Sequence, residues 1–172
     1  MNAPTSVAAT AALLLGLSLP ASADDVKPQY SLKDHEARTG SKFRRNVVQG
    51  ETIPFNLPYE KLTEEQKAIL KARYEAMGPN DEPPFPEHGL MDIMKELHEA
   101  EKILRVRGHM RLHANINAEG KATSVSVITS VDPRMDMYIA GVLMRTKFKP
   151  ALCNGVPCAQ EYLFAMTFTI EY

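Results

Sequence analysis

The end of the chain alternates strictly. Tyr162, Phe164, Met166, Phe168, Ile170 and Tyr172 fall on one side, and Glu161, Leu163, Ala165, Thr167, Thr169 and Glu171 on the other. Successive side chains of a strand point to opposite faces, so a sustained period of two predicts a β-strand with one face in a core. Burying its large side chains, at about 1.5–3 kcal/mol each, makes this strand the largest single source of apolar surface. Residues 106–129 supply two partners. Val106, Met110, Leu112, Ala114 and Ile116 are apolar with the same period, while His109, Arg111, His113 and Asn115 form an opposite face, read as the solvent face. Glu119-Gly120 makes a turn, and the β-branched run Thr123–Thr129 is the second strand.

Two amphipathic helices are available to cover this sheet. One carries Leu90, Ile93, Met94, Leu97 and Leu104 on a single face, after the rigid Pro83-Pro84-Phe85-Pro86 connector. The other starts at Asp132, with Pro133 in its first turn, and places Met135, Tyr138, Ile139, Val142 and Leu143 on one stripe. The expected fold is α+β: a small three-stranded antiparallel sheet with two helices on one face, in the order α–β–β–α–β. An accessory helix and linker (62–82) precede it. Thr63-Glu64-Glu65-Gln66 reads as a capping box, Ile69, Ala72, Ala76 and Met77 as the apolar face, and Gly78-Pro79 as the stop.

Residues 1–23 have the order of a secretory signal peptide: an apolar run Val7–Leu19, a break at Pro20, and small residues Ala21-Ser22-Ala23 before Asp24-Asp25. The run is shorter than the about 20 residues that span a bilayer. Export to the periplasm is therefore expected, with an uncleaved inner-membrane tether as the alternative. Residues 24–61 are polar and without period, and are read as an extension of low order. Within it Arg38, Lys42, Arg44 and Arg45 make a basic run, and Ile53–Pro58 reads as an extended segment laid on a surface.

In an oxidising compartment, Cys153 and Cys158 around Asn154-Gly155 suggest a local disulfide, with two free thiols as the alternative. The spacing is neither that of a C-x-x-C redox motif nor that of a zinc site, and no metal or cofactor is expected. His98-Glu99 fails the H-E-x-x-H pattern because Lys102 stands where the second His should be. A net charge of −1 gives no electrostatic footprint for nucleic acid.

The stretch from about residue 83 to 172 resembles the C-terminal domain of the TonB family, the periplasmic end of a bacterial energy transducer. Phe85-Pro86 stands where the family has an aromatic-Pro pair before its first helix, and Gly120 stands at the turn between the first two strands. Phe148-Lys149-Pro150-Ala151, followed by Gly155, matches the family's aromatic, one residue, Pro-Ala and Gly turn. The resemblance implies a binding module without chemistry of its own, engaging an extended segment of an outer-membrane receptor or another envelope protein through the edge of its last strand. Carried across, the contact stretch is Ala159, Gln160, Glu161, Tyr162, Leu163 and Phe164, with Gln160 and Glu161 as side-chain readers. The sequence departs from the family in lacking a long apolar anchor and a Pro-rich spacer, which separates peptide binding from force transduction.

Three rival readings remain. His109, Arg111 and His113 on one strand face raise acid–base catalysis, but no nucleophile, phosphate or metal motif accompanies them. The basic 38–45 run raises a structural, peptidoglycan-associated adaptor. Open sheet edges raise a homodimer.

Overall fold

The computed structural model describes residues 30–32 and 53–169. The segment read as a signal peptide, the basic run Arg38–Arg45, and Ile170 and Tyr172 lie outside the described residues. In chain order the elements are β1 (Tyr30–Leu32), a 3-10 turn (Tyr59–Lys61), α1 (Glu64–Lys71), β2 (Phe85–Pro86), α2 (Met91–Leu104), β3 (Gly108–Ile116), β4 (Ala122–Thr129) and α3 (Pro133–Arg145). Then come β5 (Phe148–Lys149), β6 (Ala151–Cys153), β7 (Val156–Cys158) and β8 (Gln160–Phe168). The class is mixed α+β.

The central strand is β3. It pairs antiparallel with β4, Ala114 opposite Val125, and with β8 along its whole length, from Gly108 opposite Phe168 to Ile116 opposite Gln160. The period-two reading translates directly into burial. Met110, Leu112, Ala114 and Ile116 join Val125, Val127, Tyr162, Phe164 and Phe168 beneath Ile93 and Leu97 of α2 and Met135, Ile139 and Leu143 of α3. Asp132 caps α3 by accepting the Arg134 N–H at 2.8 Å. The Arg134 side chain and then that same N–H hold the Asp132 carboxyl down at about 2. Tyr138 departs from the expected core stripe: it is exposed, with its hydroxyl donating to Glu96 of α2.

The three-stranded expectation needs one correction. The sheet has four strands in the order β1-β4-β3-β8, because Tyr30–Leu32 adds in parallel to β4, Tyr30 opposite Val125. Its source is the stretch expected to be of low order. A free β4 edge offers a row of backbone groups, and even a polar segment without periodicity can bond to them, since strand pairing uses the main chain. The same stretch also buries Ile53 and Tyr59, which form a second small core with Leu62, Leu70 and Phe85.

The accessory helix is shorter than its predicted stop. The Thr63 capping box forms as expected, with the Gln66 N–H donating to Thr63 Oγ1 and the Thr63 N–H to Gln66 Oε1. The helix nevertheless ends at Lys71, and Ala72 and Ala76 are exposed. Tighter turns follow, Arg73 N–H to Leu70 O and Tyr74 N–H to Lys71 O. Leu70 and Tyr74 are the buried positions in this region, because the chain turns to deliver Tyr74 to the sheet.

The short ribbons sit at one end of the sheet. In β2 and β5, Phe85 lies opposite Lys149 and Pro86 opposite Phe148. The Phe148 N–H donates to Gly120 O at 2.9 Å. Gly120 has φ +75°, and a Cβ there would lie 1.9 Å from the Phe148 carbonyl oxygen. Left-handed backbone and close approach both demand glycine. Gly120→Ala should therefore lower stability by about 2 kcal/mol or more, read from the urea midpoint at unchanged slope.

Candidate peptide-binding edge

Among the described strands β8 pairs with β3 alone, so its other side is a sheet edge. Backbone groups along a strand point alternately to its two sides. The phase is set by Tyr74, whose hydroxyl donates to the Glu161 carbonyl at 2.9 Å and receives the Leu163 N–H. Glu161 and Leu163 therefore face outward, and Ala165 and Thr167 follow in the same phase. Tyr162, Phe164, Met166 and Phe168 turn their backbone groups to β3. Tyr74 is 5% exposed, and burial pushes its phenol well above the ordinary range, which keeps it a proton donor. Tyr162 shows the same upward shift, chiefly from burial.

Ala159 is exposed and Gln160 half-buried, whereas Tyr162, Leu163 and Phe164 are buried. The reader role expected of the Glu161 side chain is corrected. Glu161 is 4% exposed and its Oε2 lies 3.5 Å from Nδ1 of His113, itself 6% exposed. His113 was expected on a solvent face. It is interior because that face of β3 is covered at this end. Farther along the strand, Asn115 is half-buried and donates to Ser124 Oγ at 2.7 Å. Removing one member of a buried polar pair strands the other, so His113 and Glu161 constrain packing rather than read a partner.

Tyr74 is the residue that sequence reasoning missed. Its signal was the i, i+4 pair with Leu70, masked by an apparent face through Ala72 and Ala76. The 72–82 segment that carries it is anchored at its far end. Asp81 accepts the Asn154 N–H at 2.7 Å and the Gly78 N–H at 2.7 Å, and Asn80 O accepts the Gly155 N–H at 3.1 Å. These contacts reach the tip of the β6–β7 hairpin, where Asn154 and Gly155 have φ of 51° and 81°. Cys153 and Cys158 are joined in a disulfide across this hairpin, with Cα atoms 5.8 Å apart.

The residues matching the family motif build the support for β8. Phe85-Pro86, Gly120 and Phe148 converge as described above, and Phe148 packs on Tyr162 with ring centroids 5.1 Å apart. Lys149 Nζ lies 2.8 Å from Glu82 and 4.6 Å from the Tyr59 ring centroid. Ala151 is buried, Pro150 half-buried, and Gly155 supplies the hairpin tip.

The other end of the edge differs in character. Ala165 is exposed and lies opposite Arg111 of β3, and His109 Nδ1 is 2.8 Å from Thr167 Oγ1. Two surface clefts, of about 280 and 710 Å³, lie around α2, the end of α3 and the β3–β4 turn, and neither includes a β8 residue. Among the described residues no group of three or more His, Cys, Asp or Glu is placed to hold a metal ion, and no helix is long and apolar enough to cross a membrane. Comparison with protein-family models finds none that matches this chain. Comparison with curated proteins finds no match.

Tyr74→Phe removes the hydroxyl and keeps the ring. It should cost about 1 kcal/mol of stability and speed amide exchange at Leu163 while leaving the inward-facing Phe164 amide unchanged.

Proposed function

We propose that this chain is a non-catalytic periplasmic interaction module of the TonB C-terminal type. It binds an extended segment of an outer-membrane receptor or another envelope protein by adding it as a strand beside β8. The observation that carries this reading is the state of that edge. The strand is long, one-sided and preceded by a covalently closed hairpin, and a side-chain hydroxyl, not a strand, bonds its Glu161–Leu163 stretch. Main-chain bonding to an incoming peptide is what such an edge offers. The convergence of Phe85-Pro86, Gly120 and Phe148 beneath β8 supports the family resemblance, since it gives each motif residue a structural task. The disulfide suits an oxidising compartment. The module has no chemistry of its own, and its link to TonB-dependent transport is that of a peptide-binding adaptor.

Proline substitutions test the reading, because their effect depends on which way the lost N–H points. Ala165→Pro removes an outward N–H and leaves the β3–β8 ladder intact. The variant should keep its far-ultraviolet dichroism and melt within a few degrees of the parent. Its capture of immobilised peptides from receptor N-terminal segments should fall about tenfold or more. Met166→Pro removes a ladder bond and should lower stability by about 3 kcal/mol. Unchanged peptide capture by a folded Ala165→Pro protein would reject strand addition at β8.

A further inference from the structure

The β8 edge is not uniform, and its two halves differ in both access and charge. At Glu161–Leu163 the Tyr74 hydroxyl already occupies the outward carbonyl and N–H, and the ring is buried over them. A guest strand running through this stretch meets a side chain where its own backbone has to go. Beyond Leu163 the next outward residue is Ala165, exposed and small, which leaves room for a neighbouring main chain. The usable edge therefore runs from Ala165 toward the C-terminal end of β8.

That half lies among basic groups. The ladder puts Arg111 opposite Ala165 and His109 opposite Thr167, and Arg105 and Arg107 lead into β3 at the same end. Arg111 is half-buried and has no ion pair among the described residues; Arg105, Arg107 and His109 are exposed. Asp132, at the turn whose Val131 borders Gly108, is already bonded by Arg134 at 2.8 Å. Glu161 is at the far end, buried against His113.

Resting on the strand-addition reading above, we propose that the acceptor site is the Ala165–Phe168 half of β8, that Tyr74 is a built-in stop fixing where the added strand ends, and that the guest is an acidic extended peptide with a carboxylate set against Arg111. This moves the site away from the Ala159–Phe164 stretch that the sequence resemblance implies. Main-chain bonds along Ala165 and Thr167 give the guest its direction, and the arginine side selects its charge.

The test uses the full chain with short synthetic peptides alternating Val and Thr and carrying Asp, Asn or Lys at one central position. Binding is read by titration, and register by amide exchange along β8. The Asp peptide should bind about fivefold more tightly than the Lys peptide, with new protection at Ala165 and Thr167 and no added protection at Leu163. Arg111→Gln should erase the preference for Asp over Asn. Tyr74→Ala should let protection from the guest extend to Leu163; Tyr74→Phe, which keeps the ring and the fold, should leave the register where it is. Equal binding of Asp and Lys peptides on β8, or an unshifted register in a folded Tyr74→Ala protein, overturns this inference and leaves strand addition standing. If no peptide of any charge protects any β8 amide, both fall together.

Discussion

A small sheet has two edges, and every backbone donor and acceptor along them must be bonded to protein or to water. β3 is free of the problem because it is paired on both sides. Its neighbours are not, and the chain treats them differently. At β4 a three-residue strand from the N-terminal stretch lies alongside in parallel. At β8 a single phenol spans one carbonyl and one N–H, while Ala165 stays exposed. The accessory helix, the turn after it and the disulfide hairpin all bear on the position of that phenol. The functional reading follows from this asymmetry between the edges.

Much of the central architecture was legible because it rests on periodicity. Leu112, Ala114, Phe164 and Phe168 had to share a face, and Ile93, Leu97, Ile139 and Leu143 had to cover it. The capping box at Thr63, the cap at Asp132 and the Asn-Gly hairpin depend on residues close in sequence, and they form as read. The misses have a common cause. The Tyr30–Leu32 strand is fixed by main-chain pairing, which leaves no side-chain pattern to find. Tyr74 and Glu161 meet across 87 positions of sequence, and His113 meets Glu161 through a face that only tertiary packing closes. Local pattern reports which face of a strand can be apolar; it does not report what is folded over the other face.

The candidate site shows the same division. That β8 ends the sheet could be argued from strand order, and the disulfide from two cysteines around a turn. Which residues of β8 are accessible could not be. That depends on the phase of the ladder, and one hydrogen bond from outside the sheet reveals it. With Glu161 outward, the strictly alternating apolar residues are also the ones bonded to β3, so the core face and the ladder coincide on Tyr162, Phe164, Met166 and Phe168. The remaining residues carry their side chains away from the helices and their backbone groups toward the edge. Substitution at Ala165 therefore touches the edge with little effect on the core, whereas substitution at Phe164 disturbs both.

The hairpin and the turn carrying Tyr74 brace one another. Asp81 and Asn80 hold the Asn154-Gly155 tip, and the disulfide closes the hairpin that leads into β8. The same 72–82 segment ends, at its other side, on the Glu161 carbonyl. Closing a short loop contributes less than closing a long one, so the cross-link adds modestly to global stability. Its larger effect is local. It keeps the start of β8 and the turn that overlies it in one geometry, and a phenol can cap a chosen carbonyl only while both are held. A hydroxyl on a flexible segment would be exchanged for water at little cost; one buried between a stapled hairpin and a sheet edge is a fixed boundary. The first accessible position of β8 is then set by covalent and packing constraints that lie outside the strand itself.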